Sequence, residues 1–310
     1  MRRRGVIAIG LGVLAALGAW AAFSASRLHP YAGNVGSSYE LLFDKLAWLV
    51  VLAPFAGVLA ASVTKRQDPR VEGERVLRHD AAAILAHWTH GVGTAALLAS
   101  GLALGFLFVP RLLPDAEAAG FVYNLHFVAV VFFLFGTFYW TANTLLAAKR
   151  FREHLPTGNA VPYTVRHYGL LLGFKRYTMP PEDKYFESER MAFVMAVVAT
   201  GLIIASGLVK VAAHFFDVPG SLMGVTNFTH DAATLLMLAF FCAHVFFAAI
   251  APFSWPVLGS MFTGYVSLEH VKHEHAGWMA RLAEEQRESE NVVRLADDNA
   301  EPARAVSIEQ

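Results

Sequence analysis

TNFTHDAATLLMLAFFCAHVFFAAIAP, residues 226–252, is an almost uncharged apolar stretch that contains His230 and His244. About 20 apolar residues are enough for a helix to cross the hydrocarbon core of a bilayer. The two histidines are 14 residues apart. At about 100° and 1.5 Å per residue, this interval puts both on one helix face with a separation of about 21 Å. The stretch therefore predicts a membrane-spanning helix that presents imidazoles at two depths.

Five further apolar stretches have a similar length, and only 16% of the residues are charged. Soluble domains carry about 25% charged residues, so this composition indicates a bilayer environment with membrane lipid around the chain. The balance of 25 basic and 25 acidic side chains argues against a nucleic-acid partner. We predict an all-α, polytopic membrane protein with about six transmembrane helices. They are expected at residues 5–23, 41–63, 82–108, 121–147, 191–213 and 226–252.

Basic residues are concentrated in alternate connections between the predicted helices. Sixteen Lys and Arg residues lie before the first helix and in connections 64–81 and 148–190, whereas the opposite connections hold only Arg27 and Arg111. By the positive-inside rule, the side richer in Lys and Arg faces the cytoplasm. Both termini are then cytoplasmic if the first helix is retained. The alternative, that the first segment is a cleaved secretory signal peptide, stays open because three arginines precede its apolar run.

Four histidines lie inside the predicted helices, at two depths. His126 and His230 are close to the outer ends of their helices, and His87 and His244 are nearer to the cytoplasmic ends. A single buried histidine is usually a packing residue, but imidazoles paired at equal depth are typical axial ligands of haem iron. We predict an outer haem on His126 and His230 and an inner haem on His87 and His244. His90, one helical turn from His87, is an alternative inner ligand.

The chain contains a single cysteine, Cys242, and no Cys-x-x-Cys-His motif. It therefore cannot hold an iron–sulfur cluster or a covalently attached haem by itself. We expect an electron-transfer subunit that receives electrons from another protein, and whether it is an enzyme in its own right stays open. The alternative is a cofactor-free transporter or membrane anchor. A transporter would normally need charged residues at the midplane or helices broken by Gly or Pro, and neither is evident in the sequence.

Several short motifs together resemble one known family. They are Ala86-His87-Trp88-Thr89 with Ser100-Gly101, Leu125-His126, Lys184-Tyr185, His230-Asp231-Ala232-Ala233 through His244, and Gly259-Ser260-Met261 with the histidines before Trp278. Over about residues 82–282 they resemble the cytochrome b (gamma) subunit of membrane-bound formate dehydrogenases. The resemblance implies a four-helix diheme cytochrome b in a bacterial inner membrane. Its two haem b groups would be held by the same four histidines.

The resemblance also implies the partners of the chain. These are an iron–sulfur electron-transfer subunit, a catalytic dehydrogenase subunit and a membrane quinone as electron acceptor. Members of that family place the quinone beside the inner haem, near the segment before the fifth helix. Candidate quinone contacts here are His90, Tyr185, Ser188 and Glu189. Phe186 departs from the family pattern, which has a polar asparagine at that point, and the substrate of the dehydrogenase subunit is left open.

The sequence predicts three parts. Residues 1–81 form an N-terminal extension with two transmembrane segments, residues 82–256 form the diheme four-helix core, and residues 257–310 form a cytoplasmic C-terminal tail. Residues 281–310 are rich in acidic side chains and contain no aromatic residue. We expect them to begin as a helix and to end as a solvated segment.

Overall fold

A computed structural model describes residues 42–146, 148–171, 173–174 and 181–288 of the chain, together with Val13, Ala16 and Trp20, which are helical. The predicted first transmembrane segment, 5–23, otherwise lies outside the described residues. The helices and strands are, in chain order, α1 (Leu42–Leu46), α2 (Trp48–Val63), β1 (Arg70–Glu72), β2 (Arg75–Leu77), α3 (Ala81–Leu104), α4 (Ala116–Leu145), α5 (Ala148–Glu153), α6 (Ala160–Leu171), α7 (Glu187–Ala212), α8 (Gly220–Val245), α9 (Trp255–Thr263), β3 (Tyr265–Ser267), α10 (Leu268–Glu274) and α11 (residues 276–288). A π-helical turn, Phe246–Ile250, continues α8.

Three of the described helices are long and apolar enough to cross a membrane. They are α4, α7 and α8 with its π-helical continuation. Helix α3 has 24 residues, but its histidines and small residues lower its mean hydropathy, and α2 is a shorter apolar helix. Large apolar side chains such as Phe55 and Phe228 are more than 60% exposed, as expected for surfaces that contact lipid. The prediction of a helical membrane protein is confirmed, whereas the number of six helices stays a prediction.

Helices α3 and α4 form a close pair because glycines let their backbones approach. A Cβ atom at Gly136 of α4 would lie 2.6 Å from the backbone nitrogen of His90, and one at Gly93 of α3 would lie 2.9 Å from the backbone of Phe133. Helix α2 packs on α4 in the same way through Gly57. In lipid there is no hydrophobic driving force between helices, so their association depends on close packing, which small residues of this kind allow. This pair of helices is one half of the bundle.

Helices α7 and α8 form the other pair, and an apolar cluster joins the two halves. Leu98 of α3, Ala199 of α7 and Met237 of α8 are buried together. Met237 lies midway between His230 and His244 in the sequence. The cluster therefore forms a packed apolar layer between the two depths at which the histidines lie.

A small domain covers the end of the bundle near His87 and His244. We call it the cap: β1, β2 and residues 255–288. Its sheet has the antiparallel order β1-β2-β3, so that a strand made after the last long helix pairs with a hairpin made before α3. The hairpin turns at Gly73, which has a positive φ of 61°. The core of the cap consists of Val76, Val266, Val271, Trp278 and Leu282.

Ion pairs, half-buried at Arg281 and buried at Lys184, connect the cap to the bundle. The Nη2 atom of Arg281 lies 2.6 Å from Asp183 Oδ1, and its Nη1 atom lies 3.2 Å from Oε1 of Glu153, the last residue of α5. Lys184 Nζ lies 3.3 Å from the other oxygen of Glu153, and Arg78 donates a 2.6 Å hydrogen bond to the carbonyl oxygen of Lys184. Helix α11 is thereby tied to the connection before α7. The helix predicted at the start of 281–310 is present as far as residue 288.

Candidate cofactor site

His87 and His244 face each other between α3 and α8. Asp80 caps the N-terminus of α3, where its carboxylate accepts a 2.9 Å hydrogen bond from the backbone of Ala83, and His87 lies in the second turn of the helix. The ring centroids of His87 and His244 are 6.0 Å apart and their planes differ by 55°. A first-row metal ion binds an imidazole nitrogen at about 2 Å, so two imidazoles on opposite sides of one iron have centroids about 6 Å apart. The spacing of this pair fits bis-histidine ligation of haem iron.

His90 points in another direction. Its Nδ1 atom lies 2.9 Å from the hydroxyl of Thr137 on α4, and its ring packs 4.9 Å from that of Phe133. The Thr137 hydroxyl itself donates to the carbonyl oxygen of Phe133, so the Nδ1–H group of His90 is the donor to Thr137. His90 is thus committed to the contact between α3 and α4. This geometry favours the predicted choice of His87 over His90 as a ligand, which stays a prediction.

His126 and His230, the second predicted pair, lie on α4 and α8. The Nδ1 atom of His126 lies 2.8 Å from the hydroxyl oxygen of Ser100 on α3, and that of His230 lies 3.0 Å from the hydroxyl oxygen of Ser206 on α7. Each histidine is therefore held by the neighbouring helix of its own half of the bundle. In each histidine Nδ1 is the nitrogen that faces the serine, which leaves Nε2 as the nitrogen for a metal.

Open space beside these histidines also fits a flat cofactor. A Cβ atom at Gly91 or Gly101 of α3 would meet no atom of the chain within 4 Å, in contrast to one at Gly93. Gly91 and Gly101 lie within about 40° of the His87 face of the helix. At Gly207 a Cβ atom would lie 3.6 Å from Cε1 of His230. Glycine at these positions keeps the volume next to the histidines clear.

Tyr185, one of the predicted quinone contacts, lies in a partly buried group of aromatic and charged side chains. Its ring is 4.7 Å from that of His154. The guanidinium carbon of Arg78 lies 5.6 Å from the centroid of the Tyr185 ring, and Lys184 Nζ lies 5.2 Å from it. His154 was not predicted to be part of a site. Two cationic groups thus lie next to two packed aromatic rings at this end of the bundle.

Ser188 and Glu189, the other two predicted contacts, have partners at the start of α7. The Ser188 hydroxyl lies 2.7 Å from Nδ1 of His167, and the Glu189 carboxylate accepts a 2.9 Å hydrogen bond from the backbone of Phe186. The ring of Phe186 stacks 4.7 Å from that of His275 in the cap. The side chain that departs from the family pattern therefore belongs to the contact between the cap and the bundle.

Ionisable groups around the cap are shifted towards their neutral forms. Burial is the main cause that lowers the pKa of His79 well below its usual value and that of His275 to about 3. Arg78 Nη1 is 3.2 Å from Nε2 of His275, and because arginine can only donate, that nitrogen accepts. Burial also raises the pKa of Glu182 to about 7. The polar end of the bundle thus combines fixed cations with neutral histidines.

A helical membrane bundle in which histidines of two helices face each other is typical of the b-type cytochromes, in which haem is held without covalent attachment. The sequence profile of one protein family, prokaryotic cytochrome b561, matches residues 78–264, which is more than half of the chain. The chain belongs to this family, whose members are helical membrane proteins that bind haem b and transfer electrons. No curated protein matches the chain.

The family assignment confirms the predicted haem b, electron-transfer and membrane character. The matched residues include all four predicted ligands. The formate dehydrogenase resemblance, the number of haems and the quinone stay predictions. Ser206 was absent from the predicted site, although the repeat of Ala99-Ser100-Gly101-Leu102 as Ala205-Ser206-Gly207-Leu208 was a signal for it.

Proposed function

We propose that the protein is the haem b membrane subunit of a respiratory oxidoreductase of the formate dehydrogenase type. In this function it passes electrons from an iron–sulfur partner subunit to membrane quinone, while a separate dehydrogenase subunit oxidises the substrate. The observation that carries the proposal is the 6.0 Å separation of the His87 and His244 rings, together with a second histidine pair one 14-residue interval away on α8. Two levels of paired imidazoles suit two stacked haems.

In this proposal the chain's own residues hold and separate two redox centres. His126 and His230 would hold one haem b, and His87 and His244 the other. Haem b, when bound, supplies reversible one-electron chemistry. The buried layer of Leu98, Ala199 and Met237 keeps the two levels apart and excludes water between them.

The quinone is placed at the end of the bundle next to the cap. Tyr185 and His154 offer stacked rings, and the Nδ1 atom of His154 lies 2.7 Å from the carbonyl oxygen of Arg150, so that Nε2 remains available to a headgroup oxygen. Arg78, which contacts a backbone carbonyl and a neutral histidine, provides positive charge that favours the reduced, anionic forms of a quinone. Of the four predicted quinone contacts, Tyr185 has the most suitable surroundings.

The direction of transfer follows from the charge distribution. The connections rich in Lys and Arg, 64–81 and 148–190, lie at the end of the bundle that carries the cap. By the positive-inside rule this end faces the cytoplasm of a bacterial cell. The His126–His230 level then lies nearer to the outside, where the iron–sulfur partner docks. Quinone reduction at the cap end would take up protons from the cytoplasm and contribute to the membrane potential.

The test is the haem content and reducibility of the purified chain. Protein extracted in detergent should show a b-type band in its reduced-minus-oxidised spectrum, with close to two haems per chain in a pyridine haemochrome assay. Added quinol should reduce both components. The His214→Ala variant is a control for loss of a histidine outside the predicted ligand set, because His214 lies after α7 and contacts Asp44. A ratio near one would overturn the paired ligand scheme, and well-folded protein without a b-type band would favour the cofactor-free alternative.

A further inference from the structure

The two halves of the bundle contain a sequence repeat. Residues 93–102 read GTAALLASGL, and residues 199–208 read ATGLIIASGL. The aligned stretches share Thr, Ala, Ser, Gly and Leu at the second, seventh, eighth, ninth and tenth positions. The first stretch lies in α3 and the second in α7. The next helix in each half, α4 or α8, carries a histidine of the same level, His126 or His230. The halves are therefore equivalent at Ser100 and Ser206.

The hydrogen bonds around the two serines are equivalent as well. Ser100 is 2.8 Å from His126 and Ser206 is 3.0 Å from His230. Each hydroxyl also donates to the carbonyl oxygen four residues earlier in its own helix, at 2.7 Å to Ala96 and 2.6 Å to Leu202. Both serines are at most 5% exposed, so water does not compete for these contacts.

These contacts favour the tautomer of each histidine in which Nδ1 carries the proton. A hydroxyl has one hydrogen, and in both serines it is directed to the helix carbonyl. Each serine can then only accept from the histidine, so Nδ1 carries the hydrogen and Nε2 keeps its lone pair. An acceptor on Nδ1–H makes the imidazole more basic and a stronger donor to a metal through Nε2.

The repeat is broken at the other level. The same alignment pairs His87 with Phe193. On α8, His244 lies 14 residues after His230, whereas the residue 14 positions after His126 on α4 is Trp140. The rings of Trp140 and Phe193 pack 5.2 Å apart. Within the described part of the chain, neither His87 nor His244 has a hydroxyl partner. The serine contacts are thus specific to the His126–His230 level.

We propose that Ser100 and Ser206 are positioning residues of the His126–His230 level, which set the tautomer of both ligands and lower the midpoint potential of the haem held there. The proposal rests on the proposed function. Stronger donation by both imidazoles stabilises the oxidised iron, since hydrogen bonding around axial ligands is one of the means by which proteins set haem potentials. The serines would set the difference in potential between the two levels without contacting the haem.

The test is a spectroscopic redox titration of the purified holoprotein. Ser100→Ala and Ser206→Ala should each shift the midpoint potential of the same haem component upwards and leave the second component unchanged. The double variant should give the larger shift. Ser100→Thr and Ser206→Thr keep the hydroxyl and should restore the wild-type potential. Thr141→Val is the matched control, because the Thr141 hydroxyl also donates to a helix carbonyl, that of Thr137 at 2.8 Å, and Thr137 is not a predicted ligand.

The outcomes separate this proposal from the proposed function. Wild-type protein without two haem components would contradict the proposed function itself. If the wild type has two components but neither alanine variant shifts a midpoint potential, only the role of the serines is overturned. The same conclusion follows if the two variants shift the potentials of different components. If an alanine variant loses one haem, retention of that haem in the threonine variant supports the proposal, and loss in both variants overturns it.

Discussion

Replacing His126 by alanine should remove one haem and leave the other in place. His230 and His244 lie on one continuous helix, α8, so the 14-residue interval corresponds to about 21 Å along its axis. The buried layer around Met237 lies between the two levels. Ser100 loses its histidine partner in this variant but keeps its bond to Ala96, so the helix pair should persist. The change is therefore confined to one level.

The expected magnitude is a fall from two haems per chain to one, with loss of about half of the b-type absorbance if the two haems absorb equally. Added quinol should still reduce the remaining haem of the His126→Ala variant, whereas electrons from the iron–sulfur partner should no longer arrive. His87→Ala should remove the other spectral component and abolish electron exchange with quinone. His90→Ala should retain both haems, because His90 is bonded to Thr137 and faces α4.

Two results would refute this reasoning. Loss of the same spectral component from His126→Ala and His87→Ala would show that the histidines do not form two levels. Loss of a haem from His90→Ala, combined with full retention in His87→Ala, would show that His90 is the ligand. The measurements are the pyridine haemochrome ratio and the reduced-minus-oxidised spectrum of each purified variant.

Three further predictions concern packing, pH and orientation. Gly136→Ala should destabilise the protein by about 1–3 kcal/mol, because its Cβ would lie 2.6 Å from the backbone of α3. Gly224→Ala is the control, since its Cβ would meet no atom within 4 Å and should not change the stability. Both are measured by thermal unfolding in detergent. The pKa of Glu182 is raised from 4.5 to about 7, so the folded protein holds this proton more tightly than the unfolded chain and loses stability as pH rises through that window. Glu182→Gln should therefore raise the melting temperature at pH 8 and leave it unchanged near pH 4, and an equal effect at both pH values would contradict the assignment. A reporter fused after Ser62 or within 152–176 should be cytoplasmic, and an external signal would reverse the proposed orientation.

Hydropathy was sufficient to predict the long helices but not where they begin. Helix α7 was expected from residue 191 and begins at Glu187, and α4 was expected from residue 121 and begins at Ala116. The first turns contain acidic side chains, which belong to the helix because they stabilise its N-terminus although they lower its hydropathy. The interval between His230 and His244 was predictable because it depends only on helix geometry.

Other features depend on tertiary contacts and were missed. The strands of the sheet have three residues each, and all the long helices lie between β2 and β3 in the sequence. No local alternation therefore reveals the pairing of β3 with β2. Only Gly73 between Val71 and Val76 gave a hint of a hairpin. The approach of Ser206 to His230 depends on the rotation of α7 about its own axis. Hydropathy does not determine that rotation.

The pairing of β3 with β2 also has a consequence for biosynthesis. The β1–β2 hairpin leaves the ribosome before α3, but one edge of β2 has no partner until Val266 has been made, after all the long helices. Until then, an unpaired strand edge stays exposed beside the nascent chain and can be bound by chaperones. Closure of the cap by Trp278 and Arg281 is therefore a late event, which follows synthesis of all the long helices. Chains truncated before Trp278 should lack a closed cap, even though every predicted ligand is already present.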